Sequence, residues 1–99
     1  MTFDLAQMIA DREAGTPGEF SQTGLTVYAL MPWGWKRGVE QFCNRFSAHI
    51  QGGYGATEAQ RPPDDELLAN ARRIARVPLL EAEIIRLTAR VAELEGEVV

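Results

Sequence analysis

A single cysteine and a single histidine stand among the 99 residues, and that scarcity removes several kinds of chemistry. Cys43 has no second cysteine to bond within the chain, which excludes a disulfide-stapled fold and fits a reducing compartment. His49 and Cys43 lie six residues apart and no CxxC, HxxxH or HExxH spacing occurs, so a zinc site within one chain is not expected. Cys43 reads as a small interior apolar residue rather than a nucleophile. His49 reads as a solvent-facing strand residue, because nothing in the sequence sets an orienting carboxylate beside it. Apolar runs are a few residues long, short of the ~20 that a membrane span needs. Met1 leads into Thr2, Phe3 and Asp4 with no basic or apolar leader, so the expected location is the cytoplasm. Positive charge is also in short supply: 10 Lys and Arg against 14 Asp and Glu give a net charge of −4. That balance argues against nonspecific binding to nucleic acid or anionic lipid.

The glycine-rich stretch Gly52-Gly53-Tyr54-Gly55 lacks a following Lys-Ser/Thr or a GxGxxG frame and reads as a flexible connection. Asp64 and Asp65 follow two prolines and open a helical pattern, the position of capping residues rather than of an acid/base pair. No catalytic residue, metal ligand or cofactor contact is assigned. The chain is expected to be a non-enzyme.

What is present falls into three zones. In the first, Asp4 is a candidate N-cap, Gln7 closes a capping box three residues on, and Phe3 and Met8 form a hydrophobic staple. Leu5, Met8 and Ile9 supply one apolar helix face, and Gly15 followed by Pro17 ends the helix. In the second zone, the β-branched and aromatic run Leu25–Leu30 reads as a strand. Residues Asn44 to Gln51 alternate, with Phe46, Ala48 and Ile50 on one face, and read as its partner. Residues Met31 to Gly38 then make a turn-rich connection. A helix competes for residues 38–51, because Val39, Phe42, Cys43, Phe46 and Ile50 also fit a helical spacing. The strand is preferred, since Lys36 and Arg37 would oppose the helix dipole at that end and Asn44 and Ser47 are weak interior helix formers.

The third zone opens on the stiff Arg61-Pro62-Pro63 linker. A helix follows with Leu67, Leu68, Ala71, Ile74 and Ala75 on one side, and Pro78 predicts a kink or break at Val77. Beyond it Leu80, Ile84, Leu87, Val91, Leu94 and Val98 are spaced 4, 3, 4, 3, 4. Ile84, Val91 and Val98 take heptad position a, and Leu80, Leu87 and Leu94 take d. Branched residues at a with Leu at d favour a parallel two-stranded coiled coil. In that register Arg90 at g meets Glu95 at e of the other chain. Ile85, Ala89, Ala92 and Gly96 make a second stripe of mostly small residues, which leaves room for a tetramer or a foreign helix. The alternative is that the apolar stripe packs back on the hairpin of its own chain.

A second candidate contact surface is Trp33, Trp35, Lys36 and Arg37, since Trp and Arg anchor interfaces. These residues also suit stacking on unpaired bases. The bland reading is that the tryptophans cover the end of a thin core.

The stretch Asn70-Ala71-Arg72-Arg73-Ile74-Ala75-Arg76-Val77-Pro78-Leu79-Leu80-Glu81-Ala82 resembles a segment of small temperate-phage and prophage accessory proteins of the lambda-like early accessory-region family. In that group an Asn-Ala-Arg-x-Ile-Ala-x-x-Pro stretch leads into a C-terminal helix. Arg12 to Gly18 is similar to their front segment, although an aromatic usually follows sooner than Phe20 does here. The resemblance covers about a third of the chain and implies a phage-derived, non-enzymatic, self-associating protein acting on the host or on the lysis–lysogeny choice. It carries no functional residue with it.

The reading is thus an α+β chain: an N-terminal helix, a β-hairpin, and a long C-terminal helix kinked at Pro78 and ending in a short coiled coil. Residues 1–63 form a small helix-plus-hairpin domain, and 64–99 form the helical segment with its oligomerisation tail. The expected function is that of a homo-oligomeric regulatory protein, a homodimer or a tetramer, contacting a host or phage protein. Two alternatives stand beside it. One is an acidic inhibitor of a host nucleic-acid-binding defence complex, of anti-CRISPR or anti-restriction type. The other is single-strand binding through Trp33 and Trp35.

Overall fold

The computed structural model describes residues 2–53, 57 and 60–97. Helix α1 covers Leu5–Ala14. Strands β1, β2 and β3 cover Ser21–Thr23, Thr26–Lys36 and Val39–His49. Helices α2 and α3 cover Asp64–Ala75 and Val77–Glu97. The strands form one antiparallel sheet in the order β1-β2-β3, so the α+β class holds.

Asp4 caps α1, its Oδ1 accepting the Gln7 backbone N–H at 2.9 Å. The expected box is half made: the Gln7 side-chain amide donates forward to Asp11 at 2.9 Å instead of returning to the cap. Phe3 is exposed, so the staple adds little. Gly15 ends the helix in an extended conformation with φ −84°, not in the left-handed one expected of a C′ glycine. Its need for glycine is steric. The Gly15 N–H donates to the Asp11 carbonyl at 2.8 Å, and a Cβ there would lie 2.9 Å from that oxygen.

Residues 39–49 are a strand, and the helical alternative for this segment is not what forms. Both long strands reach further than their sequences suggest. The expected connection from Met31 to Gly38 shrinks to Arg37 and Gly38, and Trp33 and Trp35 lie within β2. Arg37 and Gly38 have φ of 53° and 77°, the doubly left-handed turn whose twist matches a hairpin. A strand containing Pro32 is tolerated because β1 pairs β2 only as far as Tyr28, so beyond it one side of β2 has no neighbouring strand. Register shifts at Ala29/Leu30 and Pro32/Gly34 leave Arg45 and Trp33 as the extra residues of two bulges. The short β1 has no apolar alternation and gives no sequence signal.

The core is small and sits at the base of the hairpin. Val27 and Ala29 alternate onto one face of β2 and are 0% and 2% exposed. Leu67 and Ala71, four residues apart on α2, meet that face at 2% and 0% exposure. Phe20 and Phe46 seal one side edge to face, with centroids 4.9 Å apart. Packing therefore runs across residue 63, where the composition changes. Pro63 is the N-cap of α2 and makes no side-chain cap bond, so Asp64, Asp65 and Glu66 serve by facing the helix dipole from its first turn.

The C-terminal helical stretch divides at Arg76 into α2 and α3. Pro78 lies in the first turn of α3, where a missing N–H leaves no intrahelical bond unmade. The root of α3 is tied to α1. The Arg12 guanidinium donates to the Pro78 carbonyl at 2.8 Å and pairs with Glu81 at 3.3 Å. Two arms leave this centre: strands of 11 residues, about 36 Å long, and a 21-residue helix, about 32 Å long. The radius of gyration of 18.5 Å exceeds the roughly 13 Å of a compact chain this size.

With so few fully buried side chains, each matters. Leu67→Ala is expected to lower stability by about 2–5 kcal/mol, read as a fall in the urea midpoint. An unchanged midpoint would show that this contact is not what holds the sheet to α2.

Candidate functional site

Two surfaces hold the residues singled out from the sequence. The first is the seam of α3. Leu80, Leu87, Val91 and Leu94 are 54%, 46%, 52% and 43% exposed, and Ile84 is half-buried. From Leu87 to Glu97 every residue of α3 is exposed. The hairpin does not cover this stripe: α3 touches α1 and α2 but no strand. Ile84, Leu87, Thr88, Val91, Ala92 and Glu95 line an open concavity of about 460 Å³ along the helix. Val98 lies outside the described residues.

The charges beside the seam pair locally. Arg90 donates to Glu93 of its own helix at 2.9 Å, and Glu95 stays exposed, so the Arg90–Glu95 contact is not made within one chain. Arg86 Nε donates to Glu83 at 3.0 Å. That hydrogen bond holds the Glu83 carboxyl below its ordinary value and raises Arg86 above its own. The second stripe divides: Ile85 is half-buried in the groove against α1, whereas Ala89, Ala92 and Gly96 are open.

The second surface is the far half of the β2–β3 ribbon. Trp33 and Trp35 are 66% and 72% exposed, so they do not cover the end of the core. Lys36 and Arg37 follow them at the turn and are exposed as well. The structure adds residues that the sequence reading passed over. Leu30, Val39 and Phe42 are 54%, 61% and 53% exposed. By register, Pro32 lies opposite Phe42 and Trp35 opposite Glu40. Leu30, Pro32, Phe42 and Trp35 thus share the face turned away from α2. Val39 and Phe42 are three residues apart and so face opposite sides of β3, and no apolar alternation marks them in the sequence.

Cys43 is exposed, not interior, because its stretch of β3 lies beyond the part of the sheet that α2 covers. His49 is exposed on the strand, and its Nδ1 lies 3.4 Å from the Thr26 hydroxyl. The capping acids meet one cation, Arg61, which lies 3.7 Å from Asp64. Among the described residues no group of His, Cys, Asp and Glu could hold a metal ion. No helix there is long and apolar enough to cross a membrane. Tyr54 and Gly55 of the glycine-rich stretch lie outside the described residues. The seam and the ribbon each expose apolar side chains with charged ones beside them.

Comparison with protein-family models, with curated proteins and with solved structures finds no match to this chain.

The Glu83–Arg86 pair gives α3 a pH dependence of known sign. A carboxyl whose folded value is depressed stabilises above its ordinary value of 4.5 and loses that contribution as pH falls through the lowered one. Far-UV circular dichroism is expected to show helix loss on acidification below pH 4.5, and Glu83→Gln to flatten part of that step. An identical acid profile in the variant would remove the pair from the account.

Proposed function

We propose that the chain is a non-enzymatic, self-associating protein of phage accessory type that acts through protein–protein contacts, with α3 as its self-association element. One observation carries the reading: along the apolar stripe at heptad spacing Leu80, Leu87, Val91 and Leu94 are exposed on their own chain and Ile84 is half-buried. Burying a Val, Leu or Ile side chain is worth about 1.5–3 kcal/mol, so water contact along this stripe is a standing drive to pair. A second copy supplies the same stripe by symmetry. Ile84 and Val91 at a, with Leu87 and Leu94 at d, match a parallel pair of helices. In such a pair Arg90 exchanges Glu93 of its own helix for Glu95 of the neighbour.

The other features agree with this role. The root of α3 is fixed to α1 by Arg12, so the helix leaves the head in a set direction and pre-organises the seam. The phage-type resemblance around Asn70–Ala82 spans the junction from which α3 departs. The regulatory outcome lies with whatever the paired heads contact.

Light scattering on the purified chain tests the proposal. A mass of twice or four times 11.0 kDa is expected. The double variant Leu87→Glu/Leu94→Glu is expected to run at 11.0 kDa while keeping its strand signal. A monomer for both proteins removes the proposal, and so does an oligomer that survives the double substitution.

A further inference from the structure

The last turn of α2 and its Arg76 cap gather three of the chain's 10 cations. Arg72, Arg73 and Arg76 are all exposed. The Arg76 N–H donates to the Arg72 carbonyl at 3.2 Å, and the Leu80 N–H donates to the Arg76 carbonyl at 2.9 Å. These bonds carry the helical spacing across the junction, so Arg72 and Arg76 lie one turn apart on one side. Leu79, also exposed, follows one turn further on. Among the described residues the ion pairs involve Arg12, Arg61, Arg86 and Arg90, and none involves this trio. Its one side-chain hydrogen bond there runs from Arg73 to the Asn70 amide oxygen at 3.2 Å. No Asp or Glu stands three or four residues from any of the three. Arg72–Arg76 and Arg73–Arg76 are instead like-charged pairs at those spacings, which destabilise a helix. The helix dipole favours positive charge at this end, but it does not relieve the repulsion within the trio. The nearest acids along the chain are Glu66, six residues before Arg72, and Glu81, five after Arg76. Glu81 is also the carboxylate that a parallel second copy sets nearest to Arg76, and Arg12 already holds it.

From these observations we propose that the end of α2 is a docking surface for a short acidic segment of another protein. Carboxylates of that segment meet the guanidiniums of Arg72, Arg73 and Arg76, and an apolar side chain covers Leu79. A guanidinium takes a carboxylate in a two-pronged hydrogen bond, and unmatched charge of one sign selects a partner of the other. The basic run is short: Arg72 to Arg76 spans about 6 Å of helix axis. Asp64, Asp65 and Glu66 stand at the other end of α2, and Glu81 and Glu83 lie beyond the junction. A nucleic-acid strand running past would meet those acids, whereas a few adjacent carboxylates fit within the run. Leu79 adds an apolar contact that a phosphate backbone does not use. The inference rests on the reading that the chain works by protein contact, and it gives the chemistry of a partner other than a second copy. In heptad letters Arg72 and Leu79 fall at c, outside the a/d seam, so the surface stays open when two α3 helices pair.

Fluorescence anisotropy tests this on the full chain with three labelled probes: a Glu-Glu-Leu-Glu-Glu peptide, its Gln-for-Glu counterpart and oligo-dT. The Glu peptide is expected to bind and the other two are not. Arg72→Gln/Arg76→Gln is expected to weaken that binding about tenfold or more. Its far-UV circular dichroism is expected to match the parent's, since Gln and Arg have similar helix propensities. Should the double variant lose helix, the two single substitutions decide, each expected to weaken binding by a smaller factor; no loss in either overturns the proposal. Lys36→Gln/Arg37→Gln removes the same charge from the ribbon turn and is expected to leave binding as in the parent. Equal losses in the two double variants reduce the effect to overall charge and overturn the proposal. So does a Glu peptide that binds no better than the Gln one. Binding of oligo-dT that Arg72→Gln/Arg76→Gln abolishes makes the surface a phosphate platform and overturns it too. The Leu87→Glu/Leu94→Glu variant is expected to bind the Glu peptide as the parent does. Its mass and its anisotropy therefore report the two readings separately.

Discussion

Four small or medium side chains, Val27 and Ala29 from β2 and Leu67 and Ala71 from α2, hold the centre of this protein. Two alanines let the helix approach the strand closely, and Val27 and Leu67 fill the remaining space. The contact is confined to the base of the hairpin because α2 is only 12 residues long. Everything beyond it extends from that point. The ribbon continues outward without a covering layer, and α3 departs on the other side of Arg76.

This limited core explains why apolar surface is left over. A chain of about 100 residues buries less of itself than a larger one, and here much of the length goes into two long arms. Each arm is regular because its local rules are satisfied: a tight two-residue turn for the ribbon, and Pro78 in a first turn for α3. Neither arm satisfies its own apolar residues. On α3 the leftover residues form a stripe at heptad spacing beside the locally paired Arg86 and Arg90. On the ribbon they are mixed aromatic and aliphatic, with Lys36, Arg37, Arg45 and Glu40 on the same two strands and their turn.

Arg12 links the arms' common base. Its guanidinium reaches the Pro78 carbonyl and Glu81 together, so α1, which touches no strand, still has a structural task. The side chain is partly exposed, so its ion pair contributes little energy. Its effect is directional: it fixes where α3 leaves the head.

Local rules made much of this legible in the sequence. The Asp4 cap, the stop at Gly15, the strand character of Thr26–Leu30 and the division of the last helical stretch near Pro78 all follow from interactions within a few residues. The heptad spacing of α3 is likewise periodic and local. Tertiary structure decided the rest. Cys43 was misjudged because burial depends on whether α2 reaches that far along β3, which no local pattern encodes. The strands' true length was missed because Arg37-Gly38 closes a turn that Pro32 and Gly34 seemed to forbid, and only the absence of a neighbour beside that part of β2 permits it. The β1 strand exists through pairing alone, since Ser21, Gln22 and Thr23 have no strand signature of their own. Whether an apolar stripe ends covered or bare depends on the placement of distant elements. Sequence specified the stripes, and the packing of α2 and α1 left them facing outward.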